Sequence, residues 1–247
     1  MTEFFVVIPS RYGSTRLPGK PLLDLNGKPM IQRVYERAIE SGAMDVIIAT
    51  DDKRIADAAE SFGAKVCMTA EDHQSGMERI AEVIDLLGWD DTQVIVNLQG
   101  DEPSMSPILI DQCANLLIDT AADISTLASP FLTRNDFESP NCVKVVCDLN
   151  DYALYFSRSI IPYACDSDHE GLAMRAALQH HGIYAYRCGV LRQMVAAESS
   201  SLEVSEKLEQ LRALSLGMTI AVGTPEERPG VGIDTPEDLY RAAAELT

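Results

Sequence analysis

Apolar residues fall in two rhythms along this chain. Short runs that are apolar almost throughout, FFVVIP (4–9), DVIIAT (45–50), KVCMT (65–69) and QVIVNL (93–98), alternate with stretches in which apolar positions recur every three or four residues. PMIQRVYERAIESG at 29–42 sets Ile31, Val34, Ala38 and Ile39 at helical spacing and stops at Gly42. KRIADAAESFG at 53–63 reads as a second helix. Ser75, Gly76, Met77 and Glu78 form a capping box that opens a third, running to about Gly88. Pro107 takes the first position of a fourth helix from about Ser106. Near-continuous Val/Ile strands separated by helices predict a three-layer α/β fold with a mostly parallel sheet, Rossmann-like, covered on both faces. Ligands of such sheets collect at the carboxyl ends of the strands, here after Pro9, Thr50 and Leu98.

From about Asp123 the rhythm changes. ISTLASPF, CVKVVCD, YALYFSRSI and HHGIYAYR read as β segments with fewer helices between them. A helix from about Leu202 to Leu216, a strand at MTIAVGT and a helix opened by Thr235 and Pro236 follow. The expected organisation is one domain over 1–247, with a strand-rich lobe at about 123–217 and a return to the main sheet.

Charge narrows the function. With 38 acids against 20 Lys and Arg, the formal net charge of −18 argues against nucleic acid or an anionic membrane as partner. No run of eighteen apolar residues predicts a membrane span. The N-terminus places an acid before its short apolar stretch and an Arg after it, the reverse of a secretory signal. Six cysteines lie scattered without a C-x-x-C pair, so reduced thiols in a cytoplasmic protein are expected.

Residues 4–23 invert this charge, holding Arg11, Arg16 and Lys20 and no acid. Gly13, Pro18, Gly19 and Pro21 make the segment a shaped loop, where backbone N–H groups and bidentate guanidinium donors suit phosphate oxygens. It is not a Walker A loop: Gly13 to Gly19-Lys20 is one residue too long, and Pro21 replaces the Ser or Thr that binds magnesium. A solvated basic loop is the other reading of the charge alone.

The segment IPSRYGSTRLPGKPLLDLNGKPMI (8–31) is similar to the signature of sugar-nucleotide cytidylyltransferases, in particular the 3-deoxy-manno-octulosonate (Kdo) cytidylyltransferase family. Collinear matches continue through ATDD (49–52), CMTAEDHQSGMERIAEV (67–83), VIVNLQGDEP (94–103), YALYFSRSIIP (152–162), HGIYAYR (181–187), LEQLRAL (208–214) and GIDTPEDL (232–239). The resemblance implies transfer of CMP from CTP to an acidic eight-carbon sugar with release of pyrophosphate, in a homodimer, supplying lipopolysaccharide synthesis.

Asp101 directly follows an apolar strand, and Asp234 follows Gly230-Val-Gly-Ile. Two hard oxygen donors beside nucleotide phosphates suit Mg²⁺, and the resemblance implies the same pair as ligands. Read singly, Asp101 also fits a strand-end turn residue, and Asp234 a turn acid ahead of a helix. Arg16 and Lys20 are expected at the β- and γ-phosphates, with Arg11, Ser14, Arg79 and Gln99 on the rest of the nucleotide. Arg158, His180, Tyr184, Glu209 and Gln210 stand where the family's sugar contacts lie. The chain departs from the family at Ala164 and Cys165, where Asp-Arg is usual, at Gln179 for Arg, at His181 for Leu and at Met77 for Thr. The lost arginines leave a modified octulosonate or a sialate-type sugar open as substrate. A glycosyltransferase, or a nucleotide-sensing module without catalysis, are further alternatives; the triphosphate loop counts against the first and the paired acids against the second.

Overall fold

The computed structural model describes residues 3–13, 17–230, 232–233 and 235–245. Four strands, β1 (Phe4–Ser10), β2 (Asp45–Thr50), β3 (Lys65–Met68) and β4 (Val94–Asn97), pair in parallel in the order β3-β2-β1-β4. Helices α1 (Met30–Ile39), α2 (Lys53–Ser61), α3 (Gly76–Leu87) and α4 (Pro107–Asp119) occupy the intervals that the apolar spacing predicts.

Strand alternation sorts the core into two layers. Val6 and Ile8 of β1, Val46 and Ile48 of β2 and Val94 and Val96 of β4 pack with Ile31, Ile55 and Leu109 from α1, α2 and α4. Their odd-numbered neighbours Val7, Ile47, Ala49 and Ile95 face the other way, against Ile80 and Ile84 of α3. Side chains of successive strand residues point to opposite faces, so a run apolar at every position requires cover on both sides.

At α3 the cap differs from the expected box. The Ser75 hydroxyl accepts from the Glu78 N–H at 3.2 Å, but the Glu78 carboxylate accepts from the Gln74 N–H at 2.7 Å rather than from Ser75. Gly88 ends the helix at φ 67°, in the left-handed region.

The second half corrects three expectations. The strand-rich stretch does not leave the main sheet: β8 (Leu178–Arg187) runs antiparallel beside β4, β5 (Ile124–Pro130) pairs with β8, and β9 (Ile220–Gly223) with β5. Among the described residues, only the hairpin of β6 (Lys144–Cys147) and β7 (Ala153–Ser157) lies off this path, through β6 on the start of β8. The connections of this half also carry three helices that the pattern did not predict, α5 (Arg134–Glu138), α6 (Glu170–Ala176) and α7 (Cys188–Ala196). The single helix expected over 202–216 is two, α8 (Ser201–Glu206) and α9 (Gln210–Ser215), broken at Lys207 with φ 53°. The break folds α9 back so that the Arg212 guanidinium meets the Glu203 carboxylate at 2.6 and 2.8 Å, both side chains buried. The closing helix α10 (Pro236–Glu245) follows Thr235 as expected.

Candidate active site

The carboxyl ends of β1 and β4 open into a cavity of about 340 Å³. Ser10 and Arg11 enter it from β1, Gln99, Gly100 and Asp101 from β4, and Lys20 from the basic loop. Gly100 is needed for closeness: a Cβ there would stand 3.0 Å from the Pro9 carbonyl oxygen, so the glycine lets two strand ends converge. His73, Gln74, Ser75 and Gly76 at the start of α3, together with Arg79, form a second wall, and Glu209 closes it from the break between α8 and α9.

Lys20 Nζ meets Asp101 Oδ2 at 2.6 Å, with the lysine largely buried and the aspartate about one-third exposed. A cation and a carboxylate are therefore held together just beyond the strand ends, at the wall of the cavity. The Ile233 N–H donates to the Asp101 carbonyl at 2.9 Å, fastening the segment 232–233 to the same strand end. Asp234, Arg16 and Ser14 lie outside the described residues.

Arg79 lines the cavity, yet most of its guanidinium is engaged elsewhere. It donates to Asp51 Oδ2 at 3.1 Å and to the Thr69 hydroxyl, bracing the loop after β3 against the end of β2. Glu209 stands in a less compensated place. Burial, with Glu203 and then Glu78 adding to it and Arg212 and Arg11 opposing, raises its carboxyl pKa to about 7.

The remaining residues expected at the sugar do not line this cavity. His180 is half-buried, its ring packed against Phe156 and Tyr184, with Nε2 3.0 Å from the Thr126 hydroxyl. Burial, with neighbouring His181, lowers its pKa to about 3, so the ring is neutral at physiological pH. Tyr184 is buried with its hydroxyl unpaired among the described residues, and burial raises its pKa well above 10. Gln210 is buried in α9. Arg158 donates to the carbonyls of Glu206 at 2.8 Å and Pro140 at 3.0 Å. Its own carbonyl accepts from the buried Lys144 ammonium at 2.7 Å. The structure thus assembles Arg11, Lys20, Arg79, Gln99, Asp101 and Glu209 round one cavity, and places Arg158, His180, Tyr184 and Gln210 in the packing beside or beneath it.

A cytidylyltransferase family model matches residues 5–220. The 3-deoxy-manno-octulosonate cytidylyltransferases of two Vibrio vulnificus strains, YJ016 and CMCP6, are each 52% identical over 239 residues, covering 96% of this chain and 95% of theirs. This chain belongs to the 3-deoxy-manno-octulosonate cytidylyltransferase family.

The fold of this cytidylyltransferase agrees with that placement. A solved structure of CMP:2-keto-3-deoxy-manno-octonic acid synthetase complexed with CTP superposes with a TM-score of 0.91 at 41% identity, over 99% of this chain and 98% of that one. 4-Diphosphocytidyl-2C-methyl-D-erythritol synthase, at 14% identity and a TM-score of 0.64, shares the fold.

Sequence reasoning missed His73 in this cytidylyltransferase. Its Nε2 lies 2.5 Å from Glu82 Oε2, and Glu82 also accepts from the Ala70 N–H at 2.8 Å. Two carboxylates on successive turns of α3, Glu78 and Glu82, thus hold the loop at 70–74 that forms the cavity wall. The spacing E-x-x-x-E behind D-H-Q-S-G was the available signal.

Proposed function

We propose that this chain transfers CMP from CTP to 3-deoxy-D-manno-octulosonate, giving CMP-Kdo and pyrophosphate. One observation carries the reading: in a chain of net charge −18, Arg11, Lys20 and Asp101 converge in one cavity at the carboxyl ends of parallel strands. The sugar's anomeric hydroxyl attacks the α-phosphorus, a new P–O bond forms, and the bond to the β-phosphate breaks with pyrophosphate leaving. Little covalent chemistry falls to the protein. Its part is to align the reactants and to place fixed charge where negative charge grows on the phosphoryl oxygens and leaving group. Lys20 supplies such a charge as a compact point donor, and Arg11 as a fork.

Asp101 fits a hard divalent cation. Its carboxylate is partly exposed beyond a strand end at the cavity, and the N–H of Ile233, the residue before Asp234, donates to its backbone carbonyl. No cluster of three His, Cys, Asp or Glu side chains stands among the described residues. One or two carboxylates completed by substrate oxygens is the arrangement Mg²⁺ accepts. Bound there by Asp101 and Asp234, Mg²⁺ would neutralise phosphate charge and acidify the attacking hydroxyl.

The sugar side includes Glu209 at the cavity, with Arg158, His180, Tyr184 and Gln210 in the adjoining packing. A homodimer acting in the cytoplasm completes the reading; exposed Leu149, Leu154 and Tyr163 around the β6–β7 hairpin supply apolar surface for an interface. Equilibrium sedimentation at micromolar concentration tests the dimer.

Pyrophosphate release, measured with each of four nucleoside triphosphates against Kdo, amino-Kdo and sialate, tests the reaction. Release with CTP and Kdo above all other pairs is expected. Preference for another sugar reassigns the acceptor, and no release with any pair overturns the enzymatic reading.

A second prediction concerns the phosphates. Lys20→Ala is expected to weaken CTP binding by about 1.5–3 kcal/mol, the range for a hydrogen bond to a charged group. Inhibition by CMP, which lacks the β- and γ-phosphates, should change far less. Equal losses for the two nucleotides would move Lys20 away from the triphosphate tail.

A further inference from the structure

The basic loop is bent back on itself by a contact outside the cavity. The Gly19 N–H donates to the Tyr12 carbonyl at 3.2 Å, joining the two ends of the segment between them. Gly19 has φ 67°, and a Cβ on it would stand 3.1 Å from the Tyr12 ring, so the ring lies directly on the glycine. Above that ring the Arg54 guanidinium carbon lies 3.3 Å from the ring centroid. Arg54 is itself aimed by a fork onto Asp52, with Nε to Oδ1 at 2.9 Å and Nη2 to Oδ2 at 2.6 Å. Asp52 is fixed in turn as the N-cap of α2, accepting from the Arg54 N–H at 2.8 Å.

From this stack we infer that Tyr12, Arg54 and Asp52 form a clamp that pins the two ends of the basic loop, Tyr12 and Gly19, to each other and so sets Arg11 and Lys20 at the cavity. The reading rests on the proposed CTP-dependent transfer. Tyr12 is a positioning residue here: its neighbours Arg11 and, across the turn, Lys20 line the cavity, whereas Tyr12 and Arg54 do not. Loop ends fixed before the nucleotide arrives lose less conformational freedom on binding, so clamp strength should appear in affinity for the triphosphate rather than in turnover. The guanidinium is chosen for shape as well as charge. A planar group stacks flat on the ring and pairs with a carboxylate through two parallel bonds, neither of which an ammonium reproduces.

The test is a variant series read in two independent ways. Tyr12→Leu, Arg54→Gln and Arg54→Lys should each raise the KM for CTP by roughly two- to fivefold, the scale of one cation–π contact at an exposed site, with kcat within a factor of two. Tyr12→Phe, which keeps the ring, should behave as wild type. The double variant Tyr12→Leu with Arg54→Gln should be no worse than the weaker single, because both remove the same contact. Tryptic cleavage after Arg16 should accelerate in the same variants and not in Tyr12→Phe, whether or not CTP is the substrate. If wild type releases no pyrophosphate from CTP but the cleavage pattern holds, the functional reading fails and the clamp stands. If Arg54→Lys matches wild type in both readouts, the stacked and forked geometry does not hold the loop, and the clamp is overturned. Additive losses, or unchanged cleavage in every variant, overturn the clamp.

Discussion

Asp101→Asn is expected to lower turnover at least a hundredfold, the scale for losing a principal charge-stabilising group. The substitution keeps the shape of the side chain and removes its charge at the point where β4 delivers it to the cavity. Its effect on folding should be small, because the pair with Lys20 is partly exposed and such pairs contribute about 0–1 kcal/mol. The experiment therefore separates chemistry from stability: steady-state turnover at saturating CTP, sugar and Mg²⁺, beside thermal unfolding of the same preparation. Asp234→Asn, at the residue after Ile233, should show a loss of the same order. Near-normal turnover in either variant at saturating Mg²⁺ would remove that residue from the metal assignment.

The parts of this site that were legible in the sequence are those where one local pattern determines position. An acid after a fully apolar strand lies at the strand's carboxyl end whatever the rest of the chain does, and Asp101 is there. The basic loop is equally local, because a charge inversion within twenty residues survives any packing. Direction and partner are not local. HHGIYAYR predicts a strand, but nothing in its alternation says that it will insert antiparallel between β4 and β5, joining the two halves into one sheet. Its own residues His180 and Tyr184 consequently fall in the packing, where a motif match alone places them beside the sugar.

Lys207 illustrates a different limit. Residues 202–216 carry helix formers throughout, and the stop at Lys207 has no glycine or proline to announce it. Tertiary contact overrides propensity here. The buried pair of Arg212 with Glu203 forms only when the chain doubles back, and Arg212 also donates to the Met194 carbonyl at 3.1 Å. What the break delivers is Glu209, which a continuous helix would have carried along a surface face and which instead closes the cavity.

That placement carries a cost which pH exposes. Glu209 is partly buried near two other acids, Glu203 and Glu78, and burial first, then their charge, raises its carboxyl pKa to about 7 from an ordinary value of 4.5. A raised acid favours the folded state in its protonated form. Its contribution is fully present below the unfolded value of 4.5 and is lost as pH rises towards 7. Above that pH the ionised group disfavours folding by about 3 kcal/mol, from 1.36 kcal/mol per pKa unit. Glu209→Gln removes the charge and keeps the shape, so the variant should be more stable than wild type by about this amount at pH 8, the difference vanishing near pH 4. Urea unfolding of both proteins across that range is the measurement. Two curves that stay parallel at all pH values would show that Glu209 is not held against its own ionisation. A residue kept at such a cost is expected where function outweighs stability. The same variant should accordingly raise the KM for the sugar while leaving that for CTP nearly unchanged.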